Sequence, residues 1–83
     1  MRQYERIILE VVEASEGRLD TRQLDFEYYA RAQVLLEPNI LHLLRDLERR
    51  GLVEPVPIEG GTGPGWRLTH TGRRVLGNEG VTP

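Results

Sequence analysis

The sequence contains no cysteine and no lysine, and each absence excludes a group of functions. Without cysteine there is no disulfide and no zinc or iron–sulfur site with thiolate ligands, and the composition fits a reducing cytoplasm. Without lysine, the glycine-rich run at 60–65 cannot be a phosphate-binding P-loop, and the required helix does not follow it. We therefore expect a cytoplasmic protein without a nucleotide site.

Long apolar runs and catalytic side chains are also scarce. No apolar stretch approaches the ~18–20 residues that span a bilayer, and the charged start of the chain does not resemble a signal peptide. The chain has two histidines and one serine, and their spacing matches no catalytic or metal-binding pattern. We therefore expect no enzyme, no membrane partner, no cofactor and no metal site.

Charge is distributed unevenly along the chain, whose formal net charge is −2. Residues 1–30 contain seven acids and four arginines, whereas residues 31–83 contain six acids and seven arginines. The acidic total argues against strong non-specific binding to nucleic acid, which depends on neutralising phosphates. The exclusive use of arginine has two explanations: GC-rich coding, or selection for bidentate contacts to phosphate and guanine.

Apolar periodicity predicts a first helix over residues 3–15. Its apolar residues recur with the spacing of one helix face, and Gly17 is a suitable stop signal. The following residues 18–20 are too few for an independent strand but could add a third strand to a later hairpin. We predict one domain over residues 1–76 and a flexible tail at 77–83.

A second helix is predicted from Arg22 to about Ala30. Asp20 and Thr21 are both plausible N-caps, and Asp20 with Gln23 resembles a capping box. Residues 26–36 lack a single clean period, so they form either a longer helix or a helix followed by an irregular turn. The aromatic residues within this stretch are candidates for core filling or for an interface.

A third helix is predicted over residues 38–50, with proline in its first turn and Gly51 just after its end. A strand at 52–58 contains two prolines, so it must be an edge strand or only partly paired. A glycine-rich tip follows, then a return strand at 66–68 and a last helix over 70–76 with Thr69 as its cap. The predicted fold is α+β, mainly α, of the winged helix-turn-helix type, in the order helix, strand, helix, helix, strand, wing, strand, helix.

The outward face of the third helix carries the side chains that could contact DNA. Its leucines share the opposite, buried stripe. Asn39, His42 and Arg45 lie nearest its N-terminal end, which enters the major groove in helix-turn-helix docking, and Arg49 would lie nearer phosphate. The alternative is an ordinary solvated helix face, since any soluble helix has a charged outer side. Separately, Asp46 lies one residue from Arg45 and three from Arg49, so local pairing could reduce phosphate affinity.

The second helix and the wing supply further candidate DNA contacts: Thr21, Arg22, Gly63 and Arg67. Glycine permits close approach of the wing (59–66) to the minor groove or backbone. The alternative is a solvated tip, since the tip carries no basic residue. Trp66 is interpreted as a core anchor beneath the wing rather than a base-stacking residue.

Two segments within 40–54 and 66–76 resemble the winged-helix transcriptional regulators, especially the PadR and MarR types. The first is LRDLERRGLV at 44–53, similar to the end of their recognition helix, and the second is WRLTHTGRRVL at 66–76, similar to the segment after their wing. The resemblance implies regulation of transcription by binding double-stranded DNA. A homodimer is plausible through the first helix or the aromatic residues, and a winged helix that binds another protein is the alternative.

Overall fold

The computed structural model describes residues 2–32, 39–58 and 63–80, the last three by their backbone. The described residues form four helices and a two-stranded antiparallel sheet, which confirms the predicted α+β, mainly α, class. The elements are α1 (Gln3–Ser15), α2 (Thr21–Ala32), α3 (Ile40–Arg49), β1 (Val53–Val56), β2 (Gly65–Leu68) and α4 (His70–Gly80). None of the described helices is both long and apolar enough to cross a membrane.

The predicted bounds and face of α1 are confirmed. Ile8, Leu9 and Val12 are fully buried on the inward face, where they pack against the other helices and the sheet. The helix ends because Glu16 and Gly17 both adopt left-handed backbone angles, with φ of 53° and 77°. Gly17 was the predicted stop, but the left-handed turn already begins at Glu16.

A partly buried ion pair joins the first turn of α1 to the residue that follows α3. The Glu5 carboxylate accepts a hydrogen bond from the Arg2 backbone N–H at 3.0 Å and forms an ion pair with the Arg50 guanidinium. Burial raises the pKa of Glu5, but the Arg2 hydrogen bond and the hydrogen bond and charge of Arg50 outweigh it, so the pKa lies below its ordinary value. Ionised Glu5 therefore stabilises the folded state.

We expect acid to remove this stabilisation. The stabilisation from ionised Glu5 is fully present above the ordinary glutamate pKa of about 4.3. It is lost as the pH falls from that value through the lower pKa that Glu5 has in the folded state. Glu5→Gln should lower the melting temperature at pH 7 and lose less stability on acidification than the unchanged protein. Glu10→Gln is the control, because Glu10 makes only a solvent-exposed pair with Arg6 at 3.6 Å. Equal acid profiles for the Glu5 variant and the unchanged protein would contradict this account.

The third strand predicted at residues 18–20 is not present. Asp20 forms a single antiparallel bridge with Gly65, and the sheet has two strands within the described residues. The reason is that Asp20 also caps α2: its carboxylate accepts from the Gln23 N–H at 2.9 Å, and the Gln23 side chain accepts from the Asp20 N–H at 3.0 Å. The predicted capping box is thus confirmed, and it ends the extended segment after one residue of pairing.

Helix α2 runs to Ala32, two residues beyond the predicted end. The rest of the ambiguous stretch, 33–36, lies outside the described residues, as do Glu37 and Pro38. Helix α3 begins at Ile40 with Asn39 as its N-cap, so the predicted start at residue 38 falls too early. It ends at Arg49, one residue before the predicted Arg50, and Gly51 follows the cap as predicted. Gly51 has φ of 76°, its N–H donates to Glu48 O at 2.9 Å, and Leu52 N–H donates to Leu47 O at 2.9 Å.

The hairpin pairs Val53 with Leu68 and Val56 with Gly65. Strand β1 ends at Val56, before the second proline, and is therefore shorter than the predicted 52–58. Residues 59–62 of the predicted wing lie outside the described residues. Trp66 is the predicted core anchor: it is 1% exposed, and its indole N–H donates to Thr21 Oγ1 at 2.8 Å.

Four residues hold α3, the hairpin and α4 together, and we call them the hairpin-base cluster: Gly51, Leu52, Thr69 and Gly72. The Thr69 hydroxyl donates to Gly51 O and accepts from the Gly72 N–H, while the Thr69 N–H donates to Leu52 O. Thr69 is thus the predicted cap of α4. A Cβ on Gly72 would lie only 2.0 Å from Leu52 O, so this close approach requires glycine.

Helix α4 extends to Gly80, about one turn past its predicted end at Leu76. Residues 77–80, which the sequence assigned to the tail, are helical, and 81–83 lie outside the described residues. The helix that Thr69 starts continues past Gly77 to Gly80. Leu76 is buried against the core, which anchors this last part of the chain.

Candidate nucleic-acid interface

Helix α3 presents the charged face that its sequence predicts. Leu43, Leu44 and Leu47 are buried, and the outward side chains are exposed. The exposed polar residues are His42, Arg45, Asp46, Arg49 and Arg50. This side of α3 is therefore accessible along its whole length.

Ion pairing on α3 leaves two arginines available. Asp46 pairs with Arg50 at 3.3 Å, and Arg50 also pairs with Glu5, so the pairing of Asp46 with Arg45 or Arg49 that the sequence allowed is not observed. Within the described part of the chain, Arg45 and Arg49 form no ion pair. Both guanidinium groups can therefore contact an external anion without breaking an internal pair.

Asn39 has a structural role as well as a predicted binding role. Its Oδ1 accepts a hydrogen bond from the His42 backbone N–H at 3.1 Å, which satisfies one free N–H of the first turn. The side chain is exposed, and its Nδ2 donates to no partner within the described residues. Asn39 therefore presents mainly a hydrogen-bond donor to solvent.

This cap can be tested separately from binding. Asn39→Ala should lower the free energy of unfolding by about 1 kcal/mol because the His42 N–H loses its acceptor, whereas Asn39→Ser should retain most of the stability. Thermal and urea unfolding of both variants measure the difference. Equal stability of Asn39→Ala and the unchanged protein would show that the cap contributes nothing.

The start of α2 lies beside the start of α3. Thr21, Arg22 and Asn39 line one groove of about 450 Å³. Thr21, Arg22 and Gly63 line a second cavity of about 190 Å³, so Arg22 lies between the N-terminal end of α3 and the hairpin. Thr21 Oγ1 already accepts from Trp66, but its own hydroxyl hydrogen can still be donated. The structure thus brings together four of the eight predicted contact residues at this edge.

Arg67 lies on a different surface from these residues. It pairs with Glu54 at 2.7 Å across the hairpin and lines a cavity of about 280 Å³. The cavity is also lined by Glu13 of α1, by Glu16 just after α1 and by Arg73 of α4. Side chains alternate along a strand, and Trp66 next to it points toward α2, so Arg67 must point away. Arg67 was predicted as a DNA contact because it follows the wing in the sequence, but this alternation places its side chain on the other face of the hairpin.

Three large apolar side chains are exposed near the start of α2 and α3. None of them was among the predicted DNA contacts. Phe26 is 76% exposed, Tyr29 46% and Leu41 42%, whereas Tyr28 is buried in the core. Tyr29 and Leu41 line the same groove as Arg22 and Asn39. Leu41 could have been recognised from the sequence, because it lies outside the apolar stripe of α3.

The chain matches no protein-family model and shows no significant similarity to a curated protein. Among the described residues, no group of three histidine, aspartate or glutamate side chains is arranged to hold a metal ion.

Proposed function

We propose that this protein is a DNA-binding transcriptional regulator of the winged-helix type. The recognition helix, predicted over 38–50 and formed by α3 with Asn39 as its N-cap, would enter the major groove of double-stranded DNA. The wing predicted at 59–66 would contact the adjacent backbone or minor groove. The observation that carries the proposal is the pair of exposed arginines, Arg45 and Arg49, on a helix whose Asp46 is held by Arg50. Arginine in this setting suits guanine and phosphate contacts.

Each candidate residue has a specific role in this proposal. Arg45 reads a base edge, since guanine offers two acceptors to a guanidinium, and Arg49 contacts phosphate further along the helix. His42 is exposed on the first turn and can donate or accept. Thr21 and Arg22 bind phosphate at the positive N-terminal end of α2. A Cβ built on Gly63 meets no atom of the described residues within 4 Å, which supports close approach of a ligand to its backbone.

The resemblance to PadR and MarR regulators supports the fold more than the function. The residues that carry it are largely those of the hairpin-base cluster: Gly51 ends α3, and Thr69 and Gly72 connect the hairpin to α4. Any protein with this packing needs them, whatever its ligand. The case for DNA therefore rests on the outward residues of α3 and the start of α2.

The test is selection of bound sequences from a random duplex library, followed by a salt titration of the selected duplex. We expect one sequence family to be enriched and log K to fall linearly with log salt, by about 0.9 for each phosphate contact. Absence of binding to any duplex at low salt would refute the proposal.

The second candidate function is a winged-helix module that binds another protein. Phe26 favours it together with Tyr29, because the two exposed rings line one pocket on α2 and contiguous exposed apolar surface is characteristic of contact sites. The acidic net charge favours it too. A homodimer would also form through the exposed surface of α2 that includes Phe26, because the apolar face of α1 is buried in the core. Sedimentation analysis of the unchanged protein and Phe26→Ser distinguishes self-association from a monomer.

A further inference from the structure

The start of α3 presents two neighbouring groups of different chemistry. Asn39 uses its Oδ1 to cap the helix, so the group it offers outward is the Nδ2 donor. Leu41, two residues later, offers an apolar side chain that is 42% exposed. Both line the groove of about 450 Å³ between α3 and α2. A base edge that approaches between Asn39 and Leu41 therefore meets a hydrogen-bond donor and an apolar side chain. The other residues that line the groove are Thr21, Arg22, Asp25, Tyr29 and Ile40.

Among the four bases, thymine has the matching edge in the major groove. It presents the O4 acceptor next to the C5 methyl group, whereas guanine presents two acceptors, adenine an acceptor and a donor, and cytosine a donor. Guanine and adenine therefore offer no methyl group to Leu41. Cytosine offers a donor where Asn39 also offers a donor, so that pair would leave both donors unsatisfied.

We infer that Asn39 and Leu41 form a specificity site for thymine, with the Asn39 amide donating to O4 and Leu41 contacting the C5 methyl group. The inference rests on the proposed function and adds a base preference at the N-terminal end of α3, the part that enters the groove in this class of docking. Arg22 lines the same groove and would bind the phosphate that fixes this base in position.

The helix cap formed by Asn39 favours recognition of thymine over adenine. Bidentate recognition of adenine needs both the oxygen and the nitrogen of the asparagine amide. Here the oxygen is engaged by the His42 N–H, and the carboxamide is thereby held in one orientation. Thymine needs only the nitrogen.

The experiment replaces each thymine of the selected duplex, one at a time, with deoxyuridine, which lacks only the methyl group. At one position the affinity of the unchanged protein should fall about fourfold, the effect expected for one buried methyl group. Leu41→Ala should bind the thymine and deoxyuridine duplexes equally at that position. Phe26→Ala is the matched control: Phe26 is exposed but does not line this groove, so its variant should keep the fourfold difference.

The outcomes separate this inference from the proposed function. A selected duplex without an A·T pair in the contacted region, binding that is indifferent to deoxyuridine everywhere, or a Leu41→Ala variant that keeps the difference would each overturn the thymine site alone. Failure to bind any duplex would overturn both. Circular dichroism should show unchanged folding of Leu41→Ala, because the side chain is exposed.

Discussion

Replacing Arg45 and Arg49 with alanine is expected to abolish tight binding to the selected duplex. Arg45→Ala should cost about 1–3 kcal/mol and relax preference for one guanine, since a bidentate contact to a base edge is lost. Arg49→Ala should weaken binding to all sequences alike and reduce the salt slope by about 1, because a phosphate contact is lost. Fluorescence anisotropy at several salt concentrations measures both effects.

Arg73→Ala is the control for this pair of variants. It removes the same charge from the exposed face of α4, where Arg73 lies beside Arg67 and α1, away from the groove at the start of α3. A variant at Arg73 that weakens binding as much as Arg45→Ala would mean that net charge, and not the face of α3, determines affinity. Unchanged binding of the Arg45 variant would exclude α3 as the base-reading element.

Gly72→Ala is expected to have the largest effect on stability. The added methyl group would lie 2.0 Å from the Leu52 carbonyl oxygen, which is backbone and already accepts from the Thr69 N–H. Relief requires α4 to move away from the hairpin, at a cost of roughly 3 kcal/mol. For a domain of this size the melting temperature should fall by about 12–24 °C.

Gly77→Ala, on the same helix α4, is expected to stabilise the protein, in contrast to Gly72→Ala. A Cβ there meets nothing within 4 Å, and alanine is the better helix former, so Gly77→Ala should raise the free energy of unfolding by about 0.5–1 kcal/mol. Thermal unfolding of the two variants side by side is the measurement. Equal and small changes at both positions would show that α4 does not approach Leu52 as closely as described.

Local chemistry made much of the fold predictable. The apolar spacing of α1 and α3 identified their buried faces, and the caps at Asp20, Gly51 and Thr69 marked where helices begin or end. These features depend on neighbours within four or five residues. The end of α4 was predicted four residues too early, because residues 77–80 carry no apolar side chain that would extend the helical pattern beyond Leu76.

Contacts between distant residues were not predictable. Glu5 and Arg50 are 45 residues apart, as are Thr21 and Trp66, and no periodicity links either pair. The outward face of α3 followed from its period, but the availability of its arginines depended on Arg50 engaging Asp46. Likewise, the orientation of Arg67 depended on which face of β2 holds Trp66.

The hairpin-base cluster also bears on how such a domain can vary over evolution. It fixes the register of the two strands at the end nearest α3 and α4, through backbone groups of Gly51 and Leu52. Residues inserted beyond Val56 and before Gly65 would lengthen the loop without disturbing those hydrogen bonds, since surface loops tolerate insertion. The reach of the hairpin can therefore change between relatives while the angle of α3 stays the same.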